Sequence, residues 1–544
     1  MAAVPYQFNS PTVSALGDEE VVFDAFDEEA GTLKDGCSNE EPNPNNPIGD
    51  ADIPDSPARA YRSGNQIVLF ASHFTTRRFT GPNLNSLSHS CAVVMQSGGL
   101  DAPAAFQDRE WLQSFWTRNG QNVYALVHEE FQGWRYTDCG SVFNEQQRCW
   151  RNSITLATSI DGGAQFTANG CLDPTPELPC NLVASSPYPY DPSSPIGPYG
   201  YFNPSNIVES PDDGMLYALI KSRGTSGTPD QKTGTCLIRT ANTDAALGNP
   251  NSWEAWDGTG FSSMFVNPYI DDPDPKSAHV CEPVDPDIST FSSSLTYSEH
   301  FHKYVLVDRG TNPSPGVYFA TSSDLINWDM PKLLMSAEVP PLSGHPDCVA
   351  PHPVRLPSLI DPSKGRDNFD TIGRTPYLYY TRAIMEDDGS GGCILGLNRD
   401  LVRVKIEFDS TAPPDPPPGD GGGGGGDDPQ PDTKAARVTI SSGKKQDIDK
   451  LAITFKLDEN ATVEASATVN VPGGASKVYS FKKVRKEVAA GKSVKIRLKM
   501  SKQNLKKVKR ALRRGRKLTA KVKIATTDAD GNNSTTRSSI KLKP

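Results

Sequence analysis

Apolar and polar residues alternate in short runs along most of this chain, and turn-forming residues separate the runs. Between residues 53 and 408 one order returns five times: a turn rich in Gly, Asn, Asp or charge opens onto an apolar run that ends in polar residues. The runs are RSGNQIVLFAS (62–72), RNGQNVYALVH (118–128), PDDGMLYALIK (211–221), EHFHKYVLVD (299–308) and IGRTPYLYYTR (372–382). Three are followed by a small-residue strand and then Ser or Thr, Asp and an aromatic: LATSIDGGAQF (156–166), IRTANTDAALGNPNSW (238–253) and FATSSDLINW (319–328). Apolar runs bounded by turns read as strands, and units of about 70 residues that each hold a four-stranded meander read as propeller blades. The pattern predicts an all-β chain whose main body, 53–408, is a five-bladed β-propeller.

The flanks differ. Residues 1–52 are rich in Asp, Glu, Asn and Pro and predict an irregular acidic arm, pinned at Cys37. The stretch 409–432 contains PPDPPPGDGGGGGGDD, which cannot pack and predicts an interdomain linker. In 433–544, runs such as KLAITFKL, ATVEASATV and KLTAKVKIATT alternate at strand period and predict a basic β-sandwich of about seven strands, with one helical turn near Ser501–Arg514.

Composition sharpens this division. A chain of 544 residues exceeds what one core usually holds. Its net charge of −10 conceals an asymmetry, because residues 431–544 carry 29 Lys and Arg against 9 Asp and Glu, leaving 26 against 56 in residues 1–430. An acidic body is a poor nucleic-acid binder, whereas the basic tail suits an anionic cell envelope or polymer. No apolar stretch is long enough for a membrane span. Ten Cys, even in number and without a C-x-x-C, predict disulfides and hence a secreted or cell-surface setting. The start, MAAVPYQFNSPTVS, shows neither the basic nor the apolar region of a secretion signal.

In a propeller the residues before each first strand and after each second strand meet at one rim. This brings together Asp55 and Arg59 before the first run, and His73, Arg77 and Arg78 after it. It adds His128, Glu129 and Glu130 from HEEFQGW, Asn206 from FNPSN, Lys221 and Arg223 from KSRG, Glu282 from HVCEPVDPD, Asp308 and Arg309 from DRG, and Arg382. Cleaving a glycosidic bond requires one protonated and one ionised carboxyl about 5–9.5 Å apart. Asp55 is the expected base or nucleophile, with Glu129 or Glu130 as the acid. Consecutive strand residues face opposite ways, so only one of Glu129 and Glu130 aims inward, and Glu130 is preferred. The expected substrate contacts are Arg59, His73, Arg77, His128, Glu129, Asn206, Arg223 and Arg382. No His spacing suits a metal, and no cofactor is expected. The loop NPYIDDPDPK, with Asp271, Asp272 and Asp274, reads as solvated charge, structural calcium being the alternative.

The leading Asp, the ATSSDLINW blade ending and the late PSLID segment resemble the five-bladed propeller glycoside hydrolases, which include arabinanases, arabinofuranosidases, β-xylosidases and invertase-like fructosidases. SIDGGAQF also resembles the Asp-box turn of sialidases at Ser159, Asp161, Gly163 and Phe166. The first resemblance implies a polysaccharide or oligosaccharide substrate of arabinan type, with Asp55 as base and Glu282 as acid, which makes Glu282 a rival to Glu130. FNPSN stands where that family places an acid. The tail resembles the basic Ig-like modules of exported actinobacterial proteins, which implies a bacterial envelope or secreted setting. A polysaccharide lyase, a sialidase and a non-catalytic glycan-binding propeller are the alternatives.

Overall fold

The computed structural model describes residues 6–9, 12–27, 32–33, 37, 51–136, 149–171, 180–192, 197–271, 274–339, 352–387 and 393–408, and then most of 438–543. The linker expected at 409–432 lies outside the described residues, as do Cys139 and Cys348. The chain divides into two compact units, Met1–Pro417 and Pro418–Pro544.

The first unit is a β-propeller built of antiparallel meanders. The first sheet runs through Arg59–Ser63, Gln66–Phe70, Thr75–Gly81 and Ser88–Gln96. The second holds Arg109–Thr117, Val123–Gln132 and Trp150–Ser159, with Leu182–Ala184 on its outer strand. The third holds Val208–Glu209, Met215–Arg223, Gly234–Ala241, Glu254–Trp256 and Phe261–Met264, and a short parallel pairing of Arg151 and Asn152 with Tyr199 and Gly200 joins it to the second. The fourth holds Ser294–Ser298, Lys303–Gly310, Gly316–Ser322 and Lys332–Ser336; the fifth holds Val354–Ile360, Tyr377–Asp387 and Cys393–Phe408. Each apolar run singled out in the sequence supplies the second strand of one sheet.

Those second strands are apolar on both sides because each sheet is covered on both faces. Phe70, Phe115, Val127 and Phe166 fill the layer between the first and second sheets. Leu126, Ile154, Leu216 and Ile238 fill the next layer. Leu219, Leu295 and Leu306 follow, then Val305, Phe319, Leu378 and Val404. Finally Ala60, Leu69, Ile360 and Tyr379 pack the fifth sheet against the first. Around the axis the inner strands approach through small hydroxyl residues. Ser114 Oγ donates to Pro204 O at 3.2 Å, Ser292 Oγ to Asn203 O at 2.8 Å and Ser293 Oγ to Pro357 O at 2.8 Å.

The Asp-then-aromatic turns are structural. Asp161 Oδ1 accepts from the backbone N–H groups of Ala164 and Gln165 at 2.9 and 3.0 Å, and Ser159 Oγ from that of Gly163 at 2.9 Å. Gly163 sits at φ +85°, where a Cβ would lie 1.8 Å from Tyr61 Oη, so both backbone conformation and space require glycine. The turn thereby delivers Phe166 onto Phe70 and Phe115. Asp324 does the same for Trp328, accepting from Asn327 N at 2.7 Å.

The N-terminal arm departs from expectation. Val13–Ala15 and Glu20–Asp24 pair with Cys393–Phe408, and Gln7–Phe8 pairs with Lys332–Ser336. Outer strands left with bare N–H and C=O groups recruit this segment, and Val13 is fully buried in the process. Three disulfides lie among the described residues: Cys37–Cys91, Cys171–Cys180 and Cys236–Cys281.

The second unit has two sheets, one of Val438–Ile440, Ala452–Leu457 and Val494–Arg497, the other centred on Ala461–Val471, Thr519–Asp528 and Asn533–Lys543. Its described strands number nine rather than about seven. Alternation sends Ala520, Val522, Ile524 and Leu542 into the core and leaves Lys521, Lys541 and Lys543 exposed. The helix Lys502–Arg513 is longer than the single turn expected, because Val508, Ala511 and Leu512 give it an apolar stripe and Ser501 caps it.

Candidate active site

The chain leading into the first strand lies against the exit of the second: Asp55 N donates to Ala71 O at 2.9 Å, and His73 Nε2 stands 3.6 Å from Asp55 Oδ2. Two arginines from the fifth sheet close on the same carboxylate. Arg399 Nη1 pairs with Asp55 Oδ1, and Arg355 Nη1 is 3.7 Å from it. Burial pushes the Asp55 carboxyl upward, but the guanidiniums of Arg399 and Arg355 outweigh burial and hold it below the usual carboxylate range. Burial also takes His73 down to about 3, so it stands neutral beside the carboxylate.

Glu130 has the opposite environment. It follows Val123–Val127 on a strand buried on both faces, and only 8% of its surface is exposed. Its Oε2 accepts from Gln132 Nε2 at 2.6 Å, and its Oε1 is 3.5 Å from His128 Nε2. Burial, reinforced by the charges of Asp55 and Asp108, lifts the Glu130 carboxyl to about 8 against the pull of Gln132. His128 lies within the influence of Asp55 and Lys221, donates from Nε2 to Asn152 Oδ1 at 3.2 Å, and is held by burial down to about 4. The two carboxyls are thus pushed in opposite directions by their surroundings, Asp55 below its usual range and Glu130 above it, with the charge of Asp55 adding to the rise of Glu130.

A narrow cavity of about 40 Å³ is lined by Pro57, Gln113, Asn203, Lys221, Asp308 and Arg309 among others, and Lys221 reaches from it into the surroundings of His128. Lys221 Nζ is 3.3 Å from Asp308 Oδ2, which also accepts from the backbone of Ser292 and Ser293 at 2.8 and 3.0 Å. A larger cavity of about 360 Å³ opens at the other rim, near Glu209, Tyr297, Glu299 and Arg366. Its charges already neutralise one another through Arg366–Asp370, Arg366–Glu209 and Lys364–Glu299, and no mouth residue lines it.

Several expected contacts are placed elsewhere. Glu282 is not at the mouth: it pairs with Lys232, and its N–H donates to Trp256 O at 2.8 Å on an outer strand of the third sheet. The neighbouring Cys281 is tied to Cys236 on the third strand of that sheet, which fixes Glu282 outside. Glu129 is directly opposite Glu110 in the strand register and points away from Glu130, among Asp108, Arg151 and Glu110. Arg77 is buried against the first disulfide, donating to Cys37 O at 3.1 Å and Cys91 O at 3.4 Å. Arg382 joins Asp400 Oδ2 at 3.1 Å through Nε, and its Nη1 pairs with Glu19. Asn206 spends its Oδ1 on Leu295 N at 3.3 Å, and Arg223 ends its strand opposite Gly200 without an ion pair among the described residues. Arg59 is buried on the axis with its Nη2 on Ser293 O. Arg382→Gln is therefore expected to cost about 3–5 kcal/mol of stability by stranding Glu19 and Asp400, with kcat unchanged; thermal unfolding and rate assays on the same preparation check this.

Arg355, Arg399, Asn152 and Gln132 were missing from the sequence reading, since nothing in the letters links them to Asp55 or Glu130. Among the described residues the one metal-like cluster is Cys37, His89 and Cys91, and the two sulfurs are joined in a disulfide. Asp271 of the acidic loop accepts from Asn267 N at 3.3 Å as a turn former, and Asp272 lies outside the described residues.

Protein-family models and curated proteins give no match to this chain. Among solved structures, a thermostable family-43 glycoside hydrolase aligns over 67% of this chain and 96% of its own, at 11% identity and a TM-score of 0.33. The α-L-arabinanase of Cellvibrio cellulosa complexed with arabinohexaose aligns over 66% and 94%, at 10% identity and a TM-score of 0.33. A mutant of Trypanosoma rangeli sialidase displaying trans-sialidase activity aligns over 98% and 89%, at 8% identity and a TM-score of 0.32. Similarity this low assigns no activity. The chemistry of the mouth has to be argued from its own side chains.

Proposed function

We propose that the protein is a glycoside hydrolase in which Glu130 protonates the leaving oxygen and Asp55 acts from the other side of the bond as base or nucleophile. The observation that carries this is the division of labour between two neighbouring carboxyls, one raised to about 8 and one held below its usual range. A glycosidic oxygen is a poor leaving group unless protonated, and a carboxyl that keeps its proton at neutral pH is suited to supply it. Arg399 and Arg355 hold Asp55 ionised and oriented, His128 and Gln132 steer Glu130, and Trp111, 6% exposed, meets His73 edge-on and His128 at a tilt, giving the wall an aromatic surface.

The packing layers favour five blades, and the even cysteine set favours a secreted setting. The basic second unit, with lysines on its outward strand positions, is suited to hold the enzyme on an anionic envelope or polymer. The test of the hydrolase reading is digestion of a polysaccharide panel that includes arabinan, scored by release of reducing ends. At least one substrate should be cut by the parent and none by Asp55→Asn. Equal release by both proteins would refute the assignment.

A further inference from the structure

Positive groups outnumber negative ones around the mouth, although the first unit belongs to a strongly acidic stretch of chain. Lys221, Arg309, Arg355 and Arg399 converge there against Asp55 and Asp308. Glu130 does not redress the balance because it keeps its proton at neutral pH, and both histidines stand neutral. Arg59 adds a fifth cation deeper on the axis.

These cations are also incompletely satisfied. Arg309 Nη1, Arg355 Nε and Arg59 Nε are buried N–H groups with no hydrogen-bond partner. An unpartnered buried charge-bearing donor is costly, and several at one place are relieved together when an anion arrives. Arg355 is lowered to about 10 by burial and by Arg399, with Arg309 adding to the repulsion, and Arg309 itself is lowered by burial. At Arg355 the neighbouring guanidiniums outweigh the relief that Asp55 gives, whereas Arg309 is relieved by Asp308 and strained by burial. Arginine forks match planar carboxylates through paired N–H donors, which a neutral hydroxyl reproduces only in part.

The geometry points to a carboxylate-bearing saccharide as the ligand of this mouth, its acid group held by Arg309 and Arg355 while Asp55 and Glu130 flank the bond. This rests on reading the mouth as a saccharide site, and it narrows that reading from sugars in general to uronic or related sugar acids.

The test is calorimetric binding to the full chain at physiological ionic strength. The probes are trisaccharides of galacturonate, glucuronate and sialyllactose, each beside its methyl ester, with arabinotriose as neutral control. Esterification removes the charge and leaves the ring unchanged. At least one free acid should bind about tenfold or more tighter than its ester. Arg309→Gln and Arg355→Gln should each abolish that preference, and Arg309→Lys, which keeps the charge without the fork, should retain part of it. If every acid binds no tighter than its ester, or binds not at all, the inference fails. It fails equally if the preference survives both glutamine variants, since the basic second unit would then be its source. An acid that binds selectively but is never cut would sink the hydrolase reading and leave this one standing. Cleavage of arabinotriose without any acid preference would do the reverse.

Discussion

Glu130→Gln is expected to lower kcat by about 10²–10⁴ while leaving KM within a few fold, because glutamine keeps the shape and the contact with Gln132 but has no proton to give. The protein should remain folded, since burial favours the uncharged Glu130 and the substitution replaces one neutral group by another. Substrates with a good leaving group, such as nitrophenyl glycosides, should be cut by the variant at close to the parental rate, because they need little protonation. The pH profile gives the same information. With Glu130 near 8, the rate should fall as pH rises through about 8, when the acid loses its proton. On the acid side the rate should hold until pH drops below the ordinary carboxylate range, where Asp55 finally takes up a proton. In Glu130→Gln the alkaline fall should vanish and the acid one remain. Rate measurements from pH 3 to 10 on both proteins check this.

Asp55→Asn should be at least as damaging, by about 10²–10⁴ or more in kcat, and activated leaving groups should not rescue it. Its second effect is structural. Arg399 and Arg355 both face this carboxylate, and the Asp55 side chain is 17% exposed, so removing its charge leaves two largely buried guanidiniums without their counter-ion. A loss of about 3–5 kcal/mol is expected for Asp55→Ala, and less for Asn, which still accepts a hydrogen bond. Azide or formate added to Asp55→Ala should restore part of both rate and melting temperature by occupying the vacated anion position. Recovery of neither would argue that Asp55 is only a turn former ahead of Pro57.

The second strands were legible because the propeller covers each of them on both faces. A run such as VYALV, hedged by an Asn-Gly turn on one side and charges on the other, has no other comfortable place to go. Asp55 was legible for a related reason: topology brings the residues before a first strand to the exit of the second. Strand alternation puts Glu129 and Glu130 on opposite faces, with Glu129 in register with Glu110 and Glu130 with Arg109. The arginines were not legible. Arg382 finds Glu19 across 363 residues and Arg399 finds Asp55 across 344, so their roles depend on which sheets end up adjacent. Glu282 matched an expected position by its place in the chain, and the Cys236–Cys281 bridge then set it outside. The N-terminal strands were hidden in an acidic segment whose short stretches become strands only when an edge is offered, VSA and EVVFD by the fifth sheet and Gln7–Phe8 by the fourth.

The central claim is that one mouth keeps a protonated carboxyl beside an ionised one. Site-specific titration of the Glu130 carboxyl, followed by ¹³C NMR of selectively labelled protein with Glu130→Gln to assign the signal, measures it directly. A midpoint near 8 that moves down in Asp55→Asn is the predicted result. A midpoint near the ordinary glutamate value of about 4.3, unmoved by that substitution, would contradict it.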